Sequence, residues 1–292
     1  MSFNLQIFKT RTLTAIAFAI IMLAGLLINQ FTFFLLFSVI YFGCWIEYQK
    51  LVGLIDARYN SINIFHKLDI MLLGWGFMLW NTNAAFNTGN YNLQQIGLWL
   101  MLAAFIVIVL SEIIFYRSFS IKNIGYSALG LIYISLSWGL MIRLRSDGMF
   151  FSNTNLFIDL GWVTPIVLIA SIWINDTMAY IVGSIIGKNS LSKISPKKTW
   201  EGTAGGALLA IATVSLVGYF VFDMTDIVSL IVISSIAAIM GTVGDLFESK
   251  MKRMAGVKDS GKIMPGHGGF LDRFDSLIFA TPFVWLYIKI FL

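Results

Sequence analysis

Three aspartates near the C-terminus, Asp245, Asp272 and Asp275, and the cationic, glycine-broken segment around them are the residues of this chain best suited to chemistry. The segment from Ser249 to Asp275 carries Lys250, Lys252, Arg253, Lys258, Lys262 and Arg273, with Asp259 as a further acid. Positions 272 and 275 are three apart, so on a helix their carboxylates share a face. Hard divalent cations take oxygen ligands, and Mg²⁺ is usually held by one or two carboxylates together with substrate phosphates. Gly266, Gly268 and Gly269 surround His267. Glycines let backbone approach a ligand closely and turn N–H groups toward an anion. These residues read as a water-facing site for a phosphate-bearing ligand. They could also form interfacial salt bridges, such as Asp272 with Lys252 or Arg253, and a tight loop re-entering a helix.

A second polar segment is Ser195-Pro196-Lys197-Lys198-Thr199-Trp200-Glu201-Gly202. Adjacent lysines beside hydroxyls suit phosphate oxygens, and equally suit anionic lipid headgroups. Asp176 lies inside an apolar block, where an acid is costly and functional by default. Ala179, Gly183 and Gly187 follow it at intervals of four and fit a close helix–helix contact. Glu47 and Glu112 lie nearer helix ends, where they can reach water, and His66 beside Lys67 reads as interfacial.

These residues must be positioned by membrane helices. Of the 292 residues 58% are hydrophobic and only 12% charged, about half the usual charged share of a globular domain. The apolar residues form blocks near the 20 or so residues a spanning helix needs. Nine are legible: 12–28, 31–48, 68–86, 95–115, 123–142, 159–187, 203–222, 227–247 and 271–291, the sixth long enough to be tilted or broken. The predicted fold is an all-α polytopic membrane bundle of about nine transmembrane helices. It forms a single membrane domain over 1–292, with helices lacking recognisable motifs over 1–157 and the chemistry over 158–292. No small-x-small site follows the first block, so a retained helical hairpin is expected rather than a cleaved signal peptide.

With the N-terminus in the cytoplasm and nine alternating helices, all but Arg143, Arg145 and Lys289 of the 20 Lys and Arg fall on the cytoplasmic side. That separation fits the positive-inside rule and puts both polar segments in the cytoplasm. The net charge of +5 is then a membrane signature, and no nucleic-acid partner is expected. Cys44 is the single cysteine, so no intrachain disulfide forms.

The run Ser249-x-Met251-Lys252-Arg253-x4-Lys258-Asp259-x-Gly261-x3-Pro265-x-His267-Gly268-Gly269-Phe270-x-Asp272-Arg273-Phe274-Asp275 resembles the defining motif of the phosphatidate cytidylyltransferases, or CDP-diacylglycerol synthases, with no departure at its fixed positions. Asp176-Thr177-x-Ala179-Tyr180 with Gly183 and Gly187, and the segment Ser195 to Gly202, are similar to the same family. The resemblance implies a Mg²⁺-dependent reaction of CTP with phosphatidic acid, giving CDP-diacylglycerol and pyrophosphate in a bacterial inner membrane. A second cation, K⁺, and a homodimer are in keeping with the family. Asp245, Asp272 and Asp275 are then the metal candidates, joined in catalysis by Lys258, Asp259, His267 and Arg273. Asp176, Ser195, Lys197, Lys198, Thr199, Lys252, Arg253, Gly268 and Gly269 would bind substrate.

The chemistry is consistent with that implication. A phosphate monoester has a second pKa of about 6 by analogy with phosphorylated side chains. The attacking oxygen is therefore already ionised at neutral pH, and His267 is not needed as a base. Two other readings stay open: a related CTP-dependent enzyme acting on another lipid phosphate or lipid alcohol, and a secondary transporter with Asp176 at a midplane ion site.

Overall fold

A computed structural model of the chain describes residues 5–115, 121–151, 157–224, 226–261 and 268–292. The chain is mostly helical, and each of the nine predicted blocks falls on a helix. These begin with α1 (Leu5–Leu27), α2 (Gln30–Ile55), the short α3 (Ala57–Asn60), α4 (Ile64–Trp80) and α5 (Leu93–Phe115). The fifth block is α6 (Ile121–Gly130) and α7 (Leu136–Asp147), joined without a break by a π-helical turn, Leu131–Ser135. The remaining helices are α8 (Val163–Ile186), α9 (Trp200–Val221), α10 (Ile227–Met254) and α11 (Leu271–Phe291).

Among the described residues seven helices are long and apolar enough to cross a membrane, which makes the chain an integral membrane protein. They are α2, α5, the joined α6–α7, α8, α9, α10 and α11. That is fewer than the nine expected, because α4 has only 17 residues, the lower limit for a spanning helix, and the apolar described part of α1 runs only from Thr14 to Leu27. The sixth block is neither broken nor helical throughout. Its helix starts at Val163, after a short antiparallel pair of β1 (Met149–Phe151) and β2 (Phe157–Asp159), in which Met149 lies opposite Asp159.

The chain packs as two compact units that interleave in sequence: Met1–Trp162 with Met254–Arg273, and Val163–Arg253 with Phe274–Leu292. In the first, Asn29 starts α2 with a capping box. Its side chain accepts from Phe31 N and Thr32 N, and Thr32 Oγ1 accepts from Asn29 N. This turns the chain sharply between α1 and α2. The core of the unit is aromatic, with Phe33, Phe37, Tyr41, Trp45, Tyr48 and Trp138 fully enclosed. Buried polar atoms need partners, and the π-helical turn supplies one: Ser135 Oγ accepts from Trp45 Nε1 at 3.1 Å. Tyr41 donates to the Met71 carbonyl at 2.7 Å. Two charged or titratable side chains of the unit, Arg145 and His66, are also buried. Arg145 is buried in a two-pronged ion pair with Asp159. His66 is buried with Nε2 3.2 Å from Ser127 Oγ, so it is a core residue rather than the interfacial one that Lys67 beside it suggested.

In the second unit α8 and α9 pack closely through small residues. A β-carbon at Gly206 would lie 2.7 Å from the Ala179 backbone, and one at Gly187 would lie 2.6 Å from Thr199 Oγ1. Ala179, Gly183 and Gly187 thus form the contact face that their spacing predicted. Gly244 does the same for α10 and α11. A β-carbon there would sit 2.6 Å from the Asp275 carbonyl, so the glycine lets the Asp275 backbone reach the turn of α10 that carries Asp245.

Candidate active site

That close approach in the second unit gathers acids. Asp245 and Glu248 stand three apart on α10 and share a face, and Asp275 comes from the first turns of α11. One carboxylate oxygen from each lies within 4.8 Å of the others. Glu248 is fully enclosed and Asp275 nearly so, while Asp245 is partly open. Asp275 Oδ1 accepts from Ser276 N at 2.6 Å. Three carboxylates this close repel one another unless cations offset them. Two lysines do so: Lys198 pairs with Asp245, and Lys252, one turn along α10, pairs with Glu248.

The loop before α9 is folded so as to deliver Lys198. Its base is closed by Trp200 N donating to Asn189 O at 2.9 Å and Leu191 N to Lys198 O at 2.8 Å. A turn at Ser195–Lys198 is closed by Lys198 N donating to Ser195 O at 3.1 Å. Thr199 caps α9, its Oγ1 accepting from Gly202 N at 3.1 Å. Glu201 then clamps the loop's start, accepting from Lys188 N, from Asn189 N and from Asn189 Nδ2 at 2.6 Å. Lys198 is left partly buried among acids while Lys197 is exposed. Burial pulls the Lys198 ammonium below the usual lysine range, and the carboxylates of Asp176 and Asp275 oppose that shift. Asp176 itself is accessible rather than enclosed, with Asn175 Nδ2 3.4 Å from its Oδ1.

The motif loop belongs to the first unit. Asp272 lies in the first turn of α11. Its Oδ2 accepts from Ser260 N at 2.9 Å and Gly269 N at 2.8 Å, and lies 2.9 Å from Ser260 Oγ. Gly268 adopts a left-handed φ of 84°, and a β-carbon there would lie 2.7 Å from the same Asp272 oxygen. Both conditions favour glycine at this position. Lys258, Asp259, Arg253 and Arg273 have exposed side chains. His267, Gly266 and Lys262 lie outside the described residues, as does the side chain of Glu112.

Two acids stand out that the sequence reading did not select. Glu248 carried a readable signal, its spacing of three from Asp245. Glu47 did not. It is 3% exposed on α2 and does not reach water. Its carboxylate accepts from Ser260 Oγ at 2.7 Å, Phe270 N at 2.9 Å and Leu271 N at 2.9 Å.

Three converging carboxylates can hold a divalent cation, and the two lysines beside them, next in sequence to a glycine-rich cationic loop, can orient phosphate oxygens. Comparison with known proteins points the same way. Residues 9–291 match the cytidylyltransferase family. The phosphatidate cytidylyltransferase of Bacillus subtilis is 29% identical over 284 residues, 97% of this chain and 98% of that protein. The Staphylococcus haemolyticus protein of the same name is 32% identical over 276 residues, 94% and 96% of the two chains. That of Staphylococcus aureus (strain COL) is 35% identical over 197 residues, 65% and 71%.

Proposed function

This chain belongs to the cytidylyltransferase family, and on that premise we propose that it transfers a cytidylyl group from CTP to phosphatidic acid in phospholipid synthesis. An oxygen of the lipid phosphate bonds to the α-phosphorus of CTP, the bond to the β-phosphate breaks, and pyrophosphate leaves with CDP-diacylglycerol as product. The observation that carries this reading is the convergence of Asp245, Glu248 and Asp275 beside Lys198 and Lys252.

The attacking lipid phosphate needs no base, because its second ionisation is largely complete at neutral pH. The demand on the protein is to bring two anions together and to receive the charge that develops on pyrophosphate. Lys198 and Lys252 meet part of it as point charges. In the cluster they sit on Asp245 and Glu248, and in a loaded site they would turn to phosphate. The all-oxygen donor set, with its atoms within 4.8 Å of one another, fits Mg²⁺. Asp245, Glu248 and Asp275 would hold it, with Asp272 as a further candidate from the motif. When bound, Mg²⁺ supplies positive charge to phosphate oxygens. A second cation, K⁺, and a homodimer are part of the same proposal, supported by the family resemblance alone.

We place the reaction at the cytoplasmic face of the bacterial cell membrane, with the N-terminus on the same side. The one-sided distribution of Lys and Arg supports that orientation. Purified protein given CTP and phosphatidate should release pyrophosphate and form CDP-diacylglycerol with Mg²⁺ and not with a chelator. Turnover of CTP with a lipid alcohol and none with phosphatidate would refute the proposed substrate.

A further inference from the structure

We propose that Glu47, on a helix outside the motif segments, is a positioning residue that anchors the two ends of the motif loop, at Ser260–Gly261 and Gly269–Leu271, and sets the Asp272 carboxylate. The proposal deepens the enzymatic reading above and rests on it for its catalytic part. Ser260 Oγ lies 2.7 Å from Glu47 Oε2 and 2.9 Å from Asp272 Oδ2, so one hydroxyl joins the two carboxylates. Phe270 N and Leu271 N, at the start of α11, belong to the donors that a helix leaves without intrahelical partners. Glu47 accepts from both, and a negative charge at a helix N-terminus is favourable. Glu47 therefore caps, from α2, the helix that carries Asp272 and Asp275.

The glycines of the loop fit this carboxylate. A β-carbon at Gly261 would lie 2.0 Å from Glu47 Oε1, and one at Gly269 would lie 2.3 Å from both Glu47 oxygens. One turn before Glu47, a β-carbon at Gly43 would lie 2.2 Å from the Phe270 ring. Gly43 and Glu47 are four apart and share a face of α2. That face accepts the loop twice, Gly43 making room for the Phe270 ring and Glu47 bonding its backbone. Gly261 and Gly269 need not contact substrate to require glycine, since a side chain at either would displace Glu47.

Glu47→Gln keeps the shape but faces an N–H₂ toward donors, so at least one of the three loses its acceptor. Two readouts test the proposal on purified full-length protein. Trypsin cleavage after Lys258, followed by mass spectrometry, reports loosening of the loop whether or not the protein is an enzyme. The Mg²⁺ concentration for half-maximal cytidylyl transfer reports the placement of Asp272. It should rise by roughly 10- to 100-fold, the usual cost of losing a group that orients a metal ligand. A smaller folded fraction would lower kcat and leave that concentration unchanged.

We expect Glu47→Gln to be cleaved faster and to need more Mg²⁺. Cleavage at the wild-type rate, or a lower kcat with unchanged Mg²⁺ dependence, overturns the proposal. If Glu47→Gln does not purify folded, Gly261→Ala, which pushes on the same carboxylate from the loop side, carries the test with the same two outcomes. Wild-type protein with no transfer to phosphatidate, alongside faster cleavage of the variant, would remove the enzymatic reading and leave the loop assignment standing.

Discussion

At the scale of single residues, the acids of the cluster should behave as one unit. Asp245→Asn, Asp275→Asn and Glu248→Gln should each lower turnover by roughly a hundred-fold or more, beyond the 10- to 100-fold typical of residues one step removed from a metal. Any two together should cost little more than one, because groups that act jointly are non-additive. Normal turnover in Glu248→Gln at saturating Mg²⁺ would remove that residue from the unit. His267→Gln should stay active, and the acidic limb of its rate–pH profile should still follow the ionisation of phosphatidate near about pH 6. The lipid gains its second negative charge, and with it nucleophilicity, as pH rises through that value. Loss of the limb in the Gln variant would identify His267 as the titrating group. Asp245, Asp275 and Lys198 were legible in sequence because charge is conspicuous in an apolar chain. Glu248 was legible only to a count of helical spacing. Glu47 was not legible, since an acid near a helix end looks alike whether it meets water or a loop more than two hundred residues away.

At the scale of elements, hydrophobic blocks located the helices, because in hydrocarbon every backbone group must be paired within its own segment. Block length did not fix the number of crossings, since α4 is a 17-residue helix. The β1–β2 pair was missed because three-residue strands carry too few positions for an alternating pattern to be read. Small residues at intervals of four gave the α8–α9 contact correctly, and its partners on α9 emerged only in the fold. Glycines consequently differ in what they contribute. Gly206→Val places carbon where α8 backbone already lies and should destabilise by about 1–3 kcal/mol. Gly125→Ala meets nothing within 4 Å on an exposed helix face and should stabilise by roughly 0.5–1 kcal/mol. Thermal unfolding in detergent should move in opposite directions for the two. A fall in both would mean that Gly125 faces a neighbour as well.

For the whole molecule, the proposed orientation can be read with an impermeant thiol reagent on intact cells. In a Cys44→Ser background, Asn87→Cys should label and Lys193→Cys should not; both positions are exposed. The reverse pattern would invert the topology and move the acid cluster to the other face. The interleaving of the two compact units also bears on biosynthesis. The first unit is closed by Met254–Arg273, after the whole of Val163–Arg253 has been made. Glu47 is therefore made long before Ser260, 213 residues later. At about 5–20 residues per second the ribosome takes roughly ten to forty seconds to supply that partner. Throughout that interval α2 carries an acid without the loop that will enclose it, and an ionised carboxylate in a membrane helix is costly. The nascent chain must therefore keep this end of α2 at the aqueous surface until the loop arrives. The last stretch translated before α11 is the one that encloses the acid of α2.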